Sequence, residues 1–384
     1  MYYIALQMLF GNKAKYYAII IGISFAALIM TQQPSIFLGL LTRTYSFVGD
    51  VSEPDIWVMN PGVKFAEESK TMRDIELLKV KTSKGVQWAV PMIKMLARAK
   101  MPDGSQSTVD ITGLDDATLI GAPYRITQGQ IENLRAADSI FVDETAAHTK
   151  LRISLKDGST RPLKVGDILE LNDRRAIVVG LFKATRNFVL QPQIYSTYSN
   201  ALKFIPRSRT NLSYILVKAK DNLEKEAIAR NIEAKTGLMA LTKEEFKQKN
   251  LDYWMNSTGI AINFGISVML GFIVGAAVAG QTFYGFVLEN LKYYAVLKAM
   301  GVTNAKLVKI VLLQAFVVGF IGFGIGVLIT TLFGLNFLDA VLAFRMAPEI
   351  LLFASIGVLL IISIAAIIGI RKVVSLDPAS VFRG

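Results

Sequence analysis

Apolar and polar positions divide this chain into four long apolar runs and one long polar interval. The first run covers residues 16–41, and its core, 18–29, carries no charge. Three more follow the interval, at 260–284, 307–335 and 350–370. A helical crossing of a bilayer needs about 20 predominantly apolar residues, and each run is long enough. Gln32, Gln33 and Pro34 interrupt the first run near its far end, where a crossing helix leaves the hydrocarbon. A cleaved signal peptide needs a shorter apolar core and a small-x-small cleavage site. The first run has neither, so it reads as an uncleaved span.

The interval, residues 42–255, alternates strand and helix signals. Asp55-Ile56-Trp57-Val58-Met59 reads as a strand, and so does 211–218. Residues 167–171 and 176–181 flank Asn172-Asp173-Arg174-Arg175, which predicts a β-hairpin. Asp221 followed by Glu224 predicts a capping box, with Leu223, Ala227, Ile228 and Ile232 on one helix face and Gly237 as the stop. Residues 242–253 read as a helix leading toward the second span. The class expected is an α-helical membrane protein with four transmembrane helices and a large mixed α/β extracytoplasmic domain between the first and second.

Composition supports this. Hydrophobic residues make up 52% and charged residues 19%, below the roughly 25% of soluble domains. The net charge of +12 marks cytoplasmic flanks and lipid contact here, not nucleic-acid binding. Lys13 and Lys15 precede the first span, Lys292, Lys298, Lys306 and Lys309 lie between the second and third, and Arg371, Lys372 and Arg383 follow the fourth. The loop between spans three and four has Arg345 as its one basic residue, beside Asp339 and Glu349. The positive-inside rule therefore puts both termini and the loop near 285–306 in the cytoplasm and 42–255 outside, a topology that suits a bacterial inner membrane. Tyr253 and Trp254 at the outer edge, with Tyr16, Tyr17 and Tyr284 at inner edges, fit an aromatic belt.

The resulting plan has a cytoplasmic interfacial helix at 1–15, spans at 16–41, 257–284, 306–335 and 349–371, and the outer domain at 42–255. A cytoplasmic helix and turn occupy 285–305, a short outer loop 336–348 and a cytoplasmic tail 372–384. The first ten residues read either as a helix on the inner membrane surface or as a frayed terminus.

The search for chemistry returns negatives. There is no cysteine and one histidine, His148, so neither a thiolate nor a histidine metal site is available. No G-x-x-x-x-G-K-[ST] phosphate loop, H-E-x-x-H or G-x-S-x-G occurs. Carboxylates are nearly absent from the spans, which leaves an intramembrane proton or sodium relay unsupported. No catalytic, cofactor or metal residue is expected. An enzymatic site in the outer domain rests only on scattered polar residues.

The informative stretch is 286–310. Glu289 in a first turn and Lys298 in a last turn match a helix dipole. Gly301 suits a left-handed C-cap, and Thr303 an N-cap for the helix entering span three. An ordinary amphipathic loop helix explains this too; the alternative is a docking element. Gly271 and Gly275 form one GxxxG pair, and Gly322 and Gly326 another, with Gly319 and Gly324 nearby. Such pairs serve close helix packing within the chain or a dimer seam.

Glu289-Asn290-Leu291, followed by Val296-Leu297-Lys298-Ala299-Met300-Gly301, resembles the loop after the second span in MacB/FtsX-type ABC permeases. Asp377-Pro378-Ala379-Ser380-Val381-Phe382-Arg383 resembles that family's ending, and the order of spans matches over nearly the whole chain. The stretch Asp55-Ile56-Trp57-Val58-Met59-Asn60-Pro61-Gly62 looks most like the DevC branch, whose ATPase is a separate chain. The resemblance implies a non-catalytic permease subunit of an exporter that transmits ATP-driven motion to its outer domain. It implies that Glu289, Leu291, Val296, Leu297, Lys298, Ala299, Met300 and Gly301 couple to a cytoplasmic ABC ATPase. ATP and Mg would be bound by that partner and by nothing on this chain. The other implied partners are a second permease copy, a periplasmic membrane-fusion adaptor and an outer-membrane channel. An FtsX-like regulator of an envelope enzyme and a lipoprotein-extracting permease are the alternatives.

Overall fold

The computed structural model describes residues 2–68, 70–123, 125–205, 210–220, 224–336 and 343–375. Asp221, Leu223, Asp339 and the ending 377–383 lie outside the described residues. The chain opens with α1 (Tyr2–Gly11) and α2 (Lys13–Thr44). Next come α3 (Ser46–Asp50), β1 (Ile56–Met59), β2 (Met72–Arg73) and α4 (Ile75–Lys81). A long hairpin follows, β3 (Val86–Lys100) and β4 (Gln106–Leu114), then β5 (Ile126–Gln128). Beyond a 3-10 turn lie β6 (Ser139–Asp143), α5 (Glu144–His148), β7 (Ile153–Ser154) and β8 (Thr160–Arg161). The hairpin β9 (Ile168–Leu171) and β10 (Arg174–Phe182) leads to β11 (Gln193–Thr197), α6 (Tyr198–Phe204), β12 (Thr210–Leu212) and β13 (Tyr214–Ala219). Then come α7 (Lys225–Thr236), β14 (Met239–Thr242) and α8 (Lys243–Ser257). The last helices are α9 (Ile260–Glu289), α10 (Leu291–Ala299), α11 (Asn304–Asn336) and α12 (Pro348–Val374). The chain divides into two compact units, residues 1–40 with 259–384, and residues 41–258.

In the first unit, four helices among the described residues are long and apolar enough to cross a membrane: α2, α9, α11 and α12. Each is apolar around its whole circumference, as a lipid-embedded helix must be. Close approach comes from glycine. A Cβ at Gly271 or Gly275 of α9 would strike Ile29 or Ala26 of α2, and one at Gly322 or Gly326 of α11 would strike Ile23 or Ala27. All four predicted glycines thus face α2 of the same chain. Pro34 does not end α2, which runs on to Thr44. Deep in the bundle the Thr31 and Thr330 hydroxyls bond each other at 2.7 Å, one donating, and the accepting hydroxyl gives its own proton to its helix backbone, a usual solution for hydroxyls in apolar surroundings. The first residues form a real helix. Ala5 and Leu9 of α1 are fully buried in the bundle core, while Tyr3, Ile4 and Phe10 are exposed.

The second unit is a mixed sheet with helices. Among the described residues ten strands share it, in the order β14-β1-β13-β3-β4-β11-β6-β10-β5, with β9 beside β10 and β3. Most pairs are antiparallel; β11 with β4 and β10 with β6 are parallel. The predicted hairpin is β9–β10, and Asn172 and Asp173 both take positive φ, 48° and 63°, as a two-residue type I′ turn requires. The predicted strand at 211–218 is split at Ser213, whose hydroxyl bonds both Lys94 backbone groups. The helix at 225–236 begins later than the capping box implied. Glu224 is its N-cap and makes no side-chain cap bond. Ile228, Ala229 and Ile232 are buried, and Ala227 is exposed. Gly237 closes it at φ 68°. Helix α8 carries a full capping box between Thr242 and Glu245.

Strand β14 lies at the sheet edge, where free N–H groups invite another strand. Here Ala240 N–H donates to Glu233 at 3.0 Å and Thr242 N–H to Glu245 at 2.8 Å. Two carboxylates thus occupy the outward donors of the edge. Tyr253 and Trp254, expected in an aromatic belt, are each half-buried in this unit. Tyr253 stacks on Phe65 at 4.7 Å and Trp254 meets Phe188 at 3.8 Å.

Candidate functional site

The predicted docking stretch folds as a short helix between two spans, with one change of boundary. Helix α9 continues past the apolar run to Glu289, so Glu289 ends the span helix and does not open the short one. A carboxylate at a helix C-terminus is unfavourable. It is offset by Asn12 Nδ2, which donates to Glu289 at 2.6 Å, and by Lys15 Nζ at 3.3 Å. Glu289 and Lys15 are both partly exposed, and such pairs contribute about 0–1 kcal/mol. The break itself belongs to Asn290. Its side chain donates back to Phe286 O at 2.8 Å, and its own carbonyl accepts from Tyr293 and Tyr294. Asn290 is therefore at once the end of α9 and the start of α10.

Helix α10 has two faces. Tyr294, Ala295 and Leu297 are buried. Tyr293 is 61% exposed, Val296 41% and Met300 74%, and their i, i+3, i+7 spacing makes one stripe. The predicted set is divided accordingly. Val296, Ala299, Met300 and Gly301 are exposed, Leu291 and Lys298 are intermediate, and Leu297 is buried. Lys298 Nζ donates to Val374 O at 3.0 Å, at the end of α12. Gly301 takes φ 88°, and the Val302 amide bonds Leu297 O, the left-handed close expected there. Thr303 O accepts from Lys306 and Leu307 as α11 begins.

The residues that hold α10 in place include Tyr294 and Gln314, which the sequence did not single out, and Asn290, which the motif contains but the expected coupling set does not. The Tyr294 hydroxyl donates to Gln314 Oε1 at 2.8 Å, and Gln314 Nε2 donates to Ala5 O at 2.9 Å. A lone amide within an apolar run is a signal in itself, since polar groups in such runs are costly unless bonded. A cleft of about 600 Å³ lies beside these contacts, lined by Ile4, Met8, Asn12, Glu289, Asn290 and Tyr293. His148 belongs to the second unit, its Nδ1 at 2.8 Å from Glu144 O on its own short helix. Among the described residues no cluster of three or more His, Cys, Asp or Glu could hold a metal.

Four apolar spans, an α/β domain inserted after the first, and a short helix fixed between the second and third define a polytopic membrane protein of permease type. The family model for the MacB-like periplasmic core domain matches residues 17–235, and that for the FtsX-like permease C-terminal domain matches 261–378. The chain belongs to the MacB/FtsX-type ABC transporter permeases. An uncharacterized ABC transporter permease of Mycobacterium tuberculosis is 24% identical over 332 residues, covering 81% of this chain and 79% of that one. Another, from Mycobacterium bovis, is 34% identical over 123 residues, 31% of this chain and 33% of its own. Among solved structures, the periplasmic region of MacB from Actinobacillus actinomycetemcomitans aligns with TM-score 0.38 and 15% identity, covering 55% of this chain and 96% of that one. The extracellular domain of the transporter YknZ from Gram-positive bacteria aligns with TM-score 0.35 and 14% identity, covering 50% and 100%.

Proposed function

We propose that this chain is the force-transmitting permease subunit of an ABC exporter, powered by ATP hydrolysed on a separate cytoplasmic ATPase. The observation that carries this is the anchoring of α10. The short helix continues from α9, and Glu289 at their junction is tied to α2 through Lys15. Its middle is tied to α11 and α1 through Gln314, and its end to α12 through Lys298. A displacement of its exposed stripe therefore reaches every helix of the membrane unit. In this reading Val296, Ala299 and Met300, with Tyr293, contact the ATPase. Glu289, Leu297 and Lys298 hold the helix that carries them, and Gly301 sets the turn. ATP and Mg bind on the partner.

The domain at 41–258 is joined in sequence to α2 and α9, so motion passes to it through those two connections and acts on cargo outside. The absence of charge from the span interiors supports transmission in place of a polar path through the bundle. The basic residues Lys292, Lys298, Lys306 and Lys309 support a cytoplasmic α10 in a bacterial inner membrane. A second permease copy, a periplasmic adaptor and an outer-membrane channel complete the assembly, in the manner of the DevC branch.

The test is affinity purification of the full chain from gently solubilised native membranes, with partners identified by mass spectrometry. A P-loop ATPase is expected to accompany it. The pair Val296→Asp and Met300→Asp is expected to cut that ATPase on the order of tenfold or more, as loss of a central apolar contact does. Recovery of the unsubstituted chain with no ATPase sinks the reading.

A further inference from the structure

Gln314 sits between Leu313 and Ala315, deep in an apolar run of α11, and its side chain is fully buried. A side-chain amide in such a place is costly unless bonded, because no water can reach it. Its two bonds go to two different helices. Oε1 accepts from the Tyr294 hydroxyl on α10, and Nε2 donates to the Ala5 carbonyl on α1. Ala5 and Tyr294 are themselves fully buried. One amide therefore joins three helices at a point that water does not reach, where each bond keeps its strength.

Apolar contacts set how close two helices lie but resist sliding weakly, whereas a directional bond selects one register. Helix α1 carries no charged residue and meets the bundle through Ala5 and Leu9. Without Gln314 its contact would be apolar along its length, and α10 would lose the bond at its buried centre. We infer that Gln314 is a positioning residue that locks α1, α10 and α11 into one body, so that a push on α10 carries α1 and α11 with it. This rests on the ATPase docking proposed above, and it makes α1 a working element of the force path.

The chain contains no cysteine, so Gln7→Cys on α1 and Lys292→Cys on α10, both exposed, give a spin-label pair with no background from this chain. The full chain is purified with its ATPase, and the inter-label distance is measured by pulsed EPR without nucleotide and with ATP plus vanadate. The expected result is one narrow distance, unchanged by nucleotide. With Gln314→Leu, at equal ATPase recovery, the distance should broaden and shift when nucleotide is added. Tyr294→Phe, which removes one bond only, should do the same to a smaller extent, and it carries the test if Gln314→Leu does not assemble. A lower melting temperature with an unchanged, nucleotide-independent distance overturns the proposal, because it leaves Gln314 merely structural. Absence of the ATPase from the unlabelled, unsubstituted chain overturns the docking reading instead.

Discussion

The membrane unit and the inserted domain both bury polar groups, and they do so with opposite chemistry. In the membrane unit the buried polar side chains are neutral: Thr31 with Thr330, Tyr294 with Gln314, and Asn290 on its own helix. In the domain they include charges. Lys94 is paired with Asp110, both nearly inaccessible, and its ammonium lies 4.1 Å from the centre of the Phe47 ring. Glu76 is held between Arg73 and Lys79. A charge at the centre of a bilayer costs at least about 2.5–3.5 kcal/mol, so the bundle is specified by shape and neutral bonds. The domain borders water and tolerates paired ions. The two regions should therefore fail to different insults, steric in one and electrostatic in the other.

The largest expected effect is on the domain. Lys94→Met leaves Asp110 buried without its counter-ion, which should cost about 3–5 kcal/mol. Adding Asp110→Leu removes the orphaned charge and should restore much of that loss. All three tryptophans, Trp57, Trp88 and Trp254, lie in the domain. Tryptophan emission during denaturant unfolding of the full chain therefore reports this unit alone. Equal destabilisation by the single and double variants would show that the pair acts through packing, and the electrostatic half of the contrast would fall.

Acidity supplies a second probe. Burial pushes the Glu67 carboxyl up from its usual 4.5 to about 7, against the partial relief of the nearby Lys94 ammonium, while Asp110 adds to the rise. Between those two values the folded chain holds more proton at Glu67 than the unfolded chain does. Stability therefore falls as pH rises through that window, by about 2–3 kcal/mol, and levels off above it. Asp50 and Asp143 are also raised by burial and slope the same way, so the comparison must be with Glu67→Gln. That variant is expected to flatten much of the decline seen by tryptophan emission between pH 4.5 and 7. An identical slope in both proteins would remove Glu67 as its source.

How much of this was legible depends on the range of each interaction. The spans were, because a crossing helix announces itself by a local run of about 20 apolar residues. The turn at Gly301 was too, because a left-handed close is a one-residue property. The place of Glu289 was not. Hydropathy marks where lipid ends, and α9 keeps its backbone bonds for five residues beyond Tyr284. The hairpin β3–β4 went unread because β3 changes partners along its length. Val90 and Met92 pair with β13 and face one core, while Ile93 and Ala97 pair with β4 and face another. Both faces are buried at Met92, Ile93 and Lys94, so no apolar–polar alternation marks the strand there. Tyr294 and Gln314 are 20 positions apart, and the apolar run around Gln314 shows that a partner is needed without saying which helix supplies it.

The glycines of α11 sharpen the steric half of the contrast at the smallest scale. Spacing alone marked Gly326 for close packing, and left open whether the neighbour is in this chain or another. A Cβ at Gly326 would lie 2.6 Å from Ala27 Cβ and 2.7 Å from Ser24 O, both on α2, whereas one at Gly324 would meet nothing within 4 Å. Alanine adds the same methyl and the same helix preference at both sites, so the difference between the two variants isolates packing. Gly326→Ala must push the backbones of α2 and α11 away from each other, which should cost about 1–3 kcal/mol. Gly324→Ala should be neutral or gain about 0.5–1 kcal/mol from reduced freedom of the unfolded chain. The measurement is the fraction of detergent-solubilised chain that stays monodisperse after heating, read by size exclusion. A lower midpoint for Gly326→Ala alone places the seam between α2 and α11. Equal shifts at both positions would mean that this face is not what holds the two helices together.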